Sequence, residues 1–412
     1  MNTKPKYTII IPTRNSLEYL KDAIESVLSQ PFSDYELIVS DNHSDDDTHE
    51  YVNSISHPNL RLIKPGKGLS MVDHWEWALT YATGEWIVFL GADDGVMPYF
   101  FELAEFLTRK AENKNIKVIN SVRAYFFWDG CQNVYGDKSI SYAAHAKCVV
   151  RQSKLELLDA TIGLSNYLYL PQMYTASIVH ISLVQTAKAK NDGAFYSSLI
   201  PDANGAAIIC SIEDKYLESL IPLGWIGSSP KSNGLIFSID KDKFKKENSL
   251  NFDSTIIQWH PLAGVFNKGV DARNVDNFKM YLFEALMQTQ HLQKPFWAKI
   301  YNSRWFKTML FATVYNQIKK KSNEVEFLKE ITAINKIPFS LVLFCSFTLS
   351  RFVWAVLKSM DVIMRIKNEI FLKTIRLKLP HRHDSEIRLM DASNRIHKLE
   401  VERNFIQGFI NK

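Results

Sequence analysis

The sequence predicts an α/β fold, a Rossmann-like, mostly parallel sheet flanked by helices. Three observations carry this expectation. Short apolar runs alternate with segments of helical period through the N-terminal quarter of the chain, as βαβ units require. The runs stop at Pro, Asp or Gly. Polar loops rich in helix-capping side chains then follow, at the strand ends where ligands of open parallel sheets bind.

Tyr7 to Ile11 reads as a buried strand ended by Pro12, and Thr13, Arg14 and Asn15 form a turn. Basic residues precede this run, but it is only a few residues long and ends at Pro12, so it is expected to be a first strand and not a signal peptide. Leu17, Leu20, Ile24, Val27 and Leu28 recur at helical spacing. Tyr35 to Ser40 is a second strand running into the polar loop Asp41-Asn42-His43-Ser44-Asp45-Asp46-Asp47-Thr48, with a helix after it to Ser54. Leu60 to Ile63 is a third strand, Lys64 to Gly68 a turn, and Ser70 to Ala82 a helix. Trp86 to Leu90 is the fourth strand, and Asp93 and Asp94 follow Gly91. Pro98 then opens a helical pattern through Phe101, Leu103, Phe106 and Leu107. Two adjacent carboxylates at the end of a buried strand are costly to hold without a counter-charge. A hard divalent cation that also holds a substrate phosphate is one answer. Capping of the next helix is the other.

Further on, Asn120 to Trp128 looks like a strand, Ser139 to Val150 a loop or strand, Ser153 to Leu158 the start of a helix, and Ser177 to Val184 an apolar run. Asp202 follows Pro201 and opens a helix of small residues, with Glu213-Asp214 deep inside that predicted helix. Asp202 is either a helix cap or a candidate general base. Pro222 to Gly234 is a Gly- and Ser-rich stretch, either an ordinary surface loop or one able to close on a diphosphate with Lys231 as the candidate phosphate contact. His260, between Trp259 and Pro261, is either structural or a metal ligand.

The chain has 412 residues, 46% hydrophobic and 23% charged, which describes a globular protein of more than one unit. Net charge is +5 but uneven: Lys294 to Arg382 carries 17 Lys and Arg against 5 Asp and Glu, and the remainder 32 against 39. Ile337 to Leu357 is strongly apolar, although it contains Pro338 and Arg351, and Asp361 to Leu379 has the composition of a basic interfacial helix. An anionic membrane surface is the expected partner of this region. Leu389, Ala392, Ile396, Leu399, Arg403, Ile406 and Ile410 keep a 3–4 spacing, fit for a homo-oligomeric coiled coil or for docking on the body. The expected division is 1–270 catalytic, 271–383 helical and membrane-associating, 384–412 a C-terminal helix. The four cysteines form no CxxC pair and no zinc spacing, so free thiols in a reducing compartment are expected. No GxGxxG follows a strand, and Gly66 to Ser70 lacks P-loop spacing, which argues against dinucleotide enzymes and NTPases. Nucleic acid is not an expected partner.

The segments Tyr7 to Asn15, Asp41 to Thr48 and Ala82 to Asp94 together resemble the three signatures of family 2 glycosyltransferases with the GT-A fold, in order and spacing as well as in letters. The resemblance implies a nucleotide-sugar donor, with a UDP-sugar favoured, and inversion at the anomeric carbon. It assigns the nucleoside to Pro12, Thr13, Asn15 and Asp41. It assigns Mn²⁺ or Mg²⁺ and the diphosphate to Asp93, with Asp94 beside it, and it makes Asp202 the base on the acceptor side. With the membrane region, it implies a lipid-linked or surface-polysaccharide acceptor and a cytoplasmic protein peripheral to the inner membrane. Two departures stand out. Gly91 occupies a place usually held by Asp, and Trp75-Glu76 stands where an Arg-Asn pair is common. Two rival readings remain: a degenerate glycan- or nucleotide-binding scaffold, and a nucleotidyltransferase that releases pyrophosphate.

Overall fold

The computed structural model describes residues 4–131, 134, 140–162, 165–198, 200–232, 235–236, 278–348, 375–376, 388–403 and 405–411. Its first half follows the predicted alternation: β1 Tyr7–Thr13, α1 Leu17–Leu28, β2 Tyr35–Asp41, α2 Thr48–Ser54, β3 Leu60–Ile63, α3 Met71–Leu79 and β4 Trp86–Phe89. β1 pairs in parallel with both β2 and β4, and β2 with β3. Side chains alternate across this layer as pleating demands. Ile9, Ile11, Leu37, Val39 and Val88 face a core with α1 and with α4, Phe100–Glu112. Ile10, Ile38, Ile87 and Phe89 face the other side. Burial on both faces is why these strands read as continuous apolar runs.

The second half is less regular. The eight-stranded sheet continues through β6, Val118–Ser121, β10, Cys148–Gln152, β11, Ser177–His180, and β12, Lys215–Ser219, in the order β10-β12-β6-β11-β4-β1-β2-β3. β11 runs antiparallel to both β4 and β6, so the sheet is mixed. The α/β class is borne out, and the stretch Asn120 to Trp128 is corrected: it is not one strand. It breaks at Val122-Arg123 into β6 and β7, Ala124–Phe127, which belong to different sheets. The smaller sheet orders as β5-β13-β7-β8, with β5 Gly95–Val96, β8 Ile140–Ser141 and β13 Gly224–Ser228. β9, Ala143–Ala144, pairs with Ile375–Arg376. This small sheet lies directly beyond the Asp93-Asp94 turn.

α5, Ser153–Ile162, α6, Ile181–Lys190, and α7, Pro201–Ile212, complete the α/β body. α7 ends at Ile212, so Glu213 and Asp214 are not inside a helix as the sequence suggested. Asp214 lies in the turn before β12 and pairs with Lys294 at 2.5 Å. The helices α8, Phe278–Gln288, α9, Pro295–Asn302, α10, Arg304–Ile318, and α11, Ser322–Ile334, share one core with α5 and α7. Phe283, Leu286, Tyr301, Phe306 and Leu310 pack there with Leu157, Tyr167, Ala203 and Cys210. Among the described residues no single helix is long and apolar enough to cross a membrane; α11 and α12, Phe339–Thr348, reach that length only as a pair bent by 114°. Of the stretch 361–379, only Ile375–Arg376 is among the described residues.

The tail docks on the body. In α13, Leu389–Arg403, and α14, Phe405–Ile410, the stripe Leu389, Ala392, Ile396, Ile406 and Phe409 is buried in the core that contains α1 and α4. Trp225 Nε1 donates to Ser393 Oγ at 3.0 Å, and Arg388 Nε donates to Asp22 at 3.0 Å. The tail therefore backs the small sheet.

A buried carboxyl joins α8 to the body. Glu284 is 1% exposed and accepts from Ser198 Oγ at 2.7 Å. Burial pushes its pKa up to about 8. The folded protein then holds a proton that the unfolded chain releases above the ordinary glutamate value, so stability falls as pH rises and levels off beyond about 8. Glu284→Gln should remove this slope and stabilise the protein by roughly 1–3 kcal/mol at high pH relative to wild type. Urea melts of both proteins at pH 5 and pH 9 check it; parallel slopes would show the carboxyl to be ionised in the fold.

Candidate active site

Thr13 ends β1, Asp41 ends β2, and Asp93 and Asp94 follow β4, so adjacent parallel strands deliver all four to one edge of the sheet. Asn42 N donates to Thr13 O at 2.9 Å, which locks the first two turns together. Asn15 adopts a φ of 55° and exchanges bonds with the second loop: its N–H donates to Ser44 Oγ at 2.9 Å, and its Oδ1 accepts from Asp45 N at 2.6 Å. Asp46 Oδ2 accepts from Leu17 N at 3.1 Å, so the second loop also satisfies the start of α1. Pro12 sits within β1, opposite Ser40.

Asp41 is fully buried. Its Oδ1 accepts from Ser44 N at 2.9 Å, while its Oδ2 and the buried Thr13 Oγ1 have no hydrogen-bond partner. His49 Nδ1 and Lys64 Nζ each stand 3.6 Å from that Oδ2. Buried polar atoms are nearly always satisfied. An acceptor held only by ion pairs at 3.6 Å and an unbonded hydroxyl at neighbouring strand ends therefore suit a ligand that carries both donors and acceptors, as a nucleoside does.

The two acidic neighbours have different work. Asp94 is fully buried and accepts from Gly91 N at 3.1 Å, from Gly227 N at 2.6 Å and from Thr175 Oγ1. It is a knot between β4, β13 and the turn before β11. Gly227 has to be glycine, because a Cβ there would overlap the Asp93 carbonyl oxygen. Asp93 is partly exposed, and its Oδ2 accepts from Ser229 Oγ at 2.8 Å and from Ser232 Oγ. Trp128 Nε1 donates to the Asp93 carbonyl at 2.8 Å. Burial raises the pKa of both carboxyls; for Asp94 the neighbouring Asp93 charge adds to it.

Among the described residues no three His, Cys, Asp or Glu side chains cluster as metal ligands. His260 lies outside the described residues. The donor set here is one reachable carboxylate flanked by hydroxyls. That fits Mg²⁺ or Mn²⁺ arriving with a diphosphate, since such ions take one or two carboxylates and fill the remaining positions with phosphate and water. Lys231 crosses the cleft: its Nζ donates to Asn15 O at 2.8 Å, and it lies over the Tyr19 ring. Ser229 to Ser232 thus lie across the crevice, between the Asp93 carboxylate and the turn after β1.

Asp202 stands at the start of α7, just after Pro201; the N-cap position belongs to Ile200, with no side-chain cap bond. Asp202 therefore does not cap the helix in the usual way. Tyr167 Oη donates to it at 3.4 Å and Ala203 N at 2.8 Å. Burial raises its pKa, opposed by Arg123 among others. Burial, with the charges of Asp94, Asp93 and Asp202 adding to it, holds the Tyr174 phenol well above the usual tyrosine range.

Sequence reasoning missed Ser229 and Ser232 as individuals, although the Ser-rich loop was visible. It missed Thr175, Tyr174, Tyr167 and Arg123 entirely, since nothing in their spacing marks them. Glu76, one of the departures noted above, anchors the loop beneath Asp202's helix: its Oε2 accepts from Phe195 N and Tyr196 N, each at 2.9 Å.

Residues 8–129 match the family model described as Glycosyl transferase family 2. The resemblance carried by the three signatures is borne out over that segment. The chain is 36% identical over 95 residues to a PGL/p-HBAD biosynthesis glycosyltransferase of Mycobacterium tuberculosis, a span of 22% of this chain and 37% of the relative. It is 33% identical over 87 residues to a UDP-Glc:alpha-D-GlcNAc-diphosphoundecaprenol beta-1,3-glucosyltransferase of Escherichia coli, covering 21% of this chain and 34% of the relative. The chain thus spans about a third of the length of the curated relatives it matches. Among solved structures, S. aureus TarS 1-349 in complex with UDP-GlcNAc is 12% identical with a TM-score of 0.45, over 84% of this chain and 92% of that one.

Proposed function

We propose, with the family 2 glycosyl transferase match over residues 8–129 as premise, that this protein is an inverting, metal-dependent glycosyltransferase. It takes a sugar from a nucleoside-diphosphate sugar, a UDP-sugar by preference, and passes it to a lipid-linked or surface-polysaccharide acceptor. The observation that carries this reading is the pairing of the Thr13–Asp41 site, whose Oγ1 and Oδ2 lack hydrogen bonds, with the Asp93 carboxylate at the ends of adjacent parallel strands. The named substrates of the E. coli relative, UDP-Glc and a diphosphoundecaprenol-linked sugar, support the choice of donor and acceptor.

In this reading Thr13, Asp41 and the turn at Pro12 to Asn15 hold the nucleoside. Asp93 would hold Mn²⁺ or Mg²⁺, which supplies positive charge to the leaving diphosphate. Lys231 and the hydroxyls of Ser229 and Ser232 lie where they can close over the phosphates. Asp202 takes the proton from the acceptor hydroxyl as that oxygen attacks, and burial keeps it basic enough to do so. An anionic membrane surface fits the exposed Phe344 and Phe347 on α12, with exposed Lys336 shortly before them.

Calorimetric titration with UDP, GDP, dTDP and CMP, with and without Mn²⁺, tests the reading. Metal-dependent binding of one nucleotide, together with slow hydrolysis of its sugar conjugate, is the expected result. Binding without donor hydrolysis would instead favour a non-catalytic scaffold, and no binding of any of the four would remove the transferase reading.

A further inference from the structure

The two departures from the family signatures, Gly91 and Trp75, meet at one side chain. A Cβ at Gly91 would collide with the Tyr174 hydroxyl and lie 2.7 Å from Asp94 Oδ2. No side chain fits at position 91 while Tyr174 keeps its place. The phenol oxygen and the Asp94 carboxylate both crowd that one point, and the ring lies 5.5 Å from that of Trp75. Trp75 is in turn stacked on Phe89 at 4.6 Å with planes 8° apart. Phe89 holds the turn by its backbone: its N–H donates to Met173 O at 3.1 Å, and its carbonyl accepts from Thr175 N at 2.6 Å. Met173 and Thr175, on either side of Tyr174, have φ values of 55° and 33°, which are unusual for residues with a side chain and most of all for β-branched Thr. Such backbone persists only where the surroundings over-determine it. Here the surroundings are Phe89, Trp75 and Asp94, and their joint effect is to seat a phenol oxygen where a side chain from position 91 would otherwise be.

We propose that Tyr174 is a positioning residue that replaces the absent carboxylate at position 91, presenting a neutral acceptor oxygen to the nucleoside-diphosphate end of the donor. This rests on the transferase reading above. A neutral phenol oxygen carries lone pairs that can take a hydrogen bond from outside. The donor of that bond is a hydroxyl of the sugar-phosphate chain, such as a ribose hydroxyl, or a water on the metal. The site then carries one negative charge fewer beside the phosphates than a site with Asp at position 91.

The test measures UDP binding by calorimetry, with Mn²⁺ and with EDTA, on variants whose melting temperatures match wild type. Tyr174→Phe keeps the ring and removes only the oxygen, so binding should weaken about tenfold, the usual worth of one such bond. A loss with and without Mn²⁺ identifies the ribose hydroxyl; a loss only with Mn²⁺ identifies the metal-bound water. Gly91→Asp should impair binding more, and Gly91→Asp with Tyr174→Ala should recover part of that loss, because the carboxylate returns where the phenol was while Asp94 Oδ2 still crowds its Cβ. Gly91→Ala with Tyr174→Ala repairs volume but supplies no oxygen, and should not restore binding. Wild-type binding by Tyr174→Phe, or equal restoration by the two double variants, would overturn the proposal and leave the transferase reading standing. Failure of the wild-type protein to bind nucleotide would instead remove the reading on which it rests.

Discussion

Asp93→Ala is expected to lose the metal-dependent part of nucleotide binding while the protein stays folded. A cation shared between a carboxylate and a phosphate is worth several kcal/mol, so UDP affinity in Mn²⁺ should fall about a hundredfold or more. Turnover should fall by at least about two to three orders of magnitude, since stabilisation of the leaving diphosphate goes with it. The fold survives because the hydroxyls that Asp93 now accepts from are already 3.2 Å from each other and can pair. Asp94→Ala should behave in the opposite way. It would strand the buried N–H of Gly91, the part-buried N–H of Gly227 and the buried hydroxyl of Thr175, at about 1–3 kcal/mol for each buried donor left unsatisfied. Thermal melts and calorimetry on the two variants separate the roles. Wild-type affinity for UDP with Mn²⁺ in Asp93→Ala would mean that Asp93 holds no metal; an unaltered melt for Asp94→Ala would mean that the knot is dispensable.

The difference between these two carboxylates marks how far the sequence can be read. It located them, because a buried strand, a glycine and two acids in succession form a local pattern. It could not separate them, because what distinguishes Asp94 is the arrival of Gly227 and Thr175 from far along the chain. The first four strands were legible for the same reason that the later ones were not. β1 to β4 are flanked by their own helices and buried on both faces, so their apolar runs stand out. β6 and β7 form one run of sequence, yet they enter two sheets, and only long-range pairing decides where the chain turns. Tyr174 left no trace in periodicity. The missing side chain at Gly91 was the visible sign, and its cause lay 83 positions away. The tail's 3–4 spacing announced a helix with one apolar face. Whether a second copy or the body would cover that face depended on the apolar surface that α1, α4 and Trp225 form together, which no local pattern describes.

Asp202→Asn is expected to stop chemistry and spare donor binding. The substitution keeps size and leaves an oxygen for the Ala203 N–H, but it cannot accept the acceptor's proton. General-base removal costs typically about two to four orders of magnitude in kcat, and UDP affinity should stay within about threefold because the proposed base acts on the acceptor and not on the nucleotide. The pH profile carries the sign. Burial raises the Asp202 pKa above the ordinary carboxylate range, and the active form is the ionised one. Activity should therefore rise with pH through a value higher than that of a free aspartate, with the ascending limb lost in the Asn variant. Tyr167→Phe removes the 3.4 Å donor to the carboxylate and should move the limb further toward higher pH, because a bond to the charged form is gone. A group whose only work was to favour the start of α7 would give a different pattern: a modest loss of stability in Asp202→Asn, turnover within tenfold of wild type, and no movement of the limb in Tyr167→Phe. Full turnover in the Asn variant would pass the proton to another acid on the same side of the crevice. Lost turnover with intact UDP binding and a vanished limb would fix Asp202 as the base.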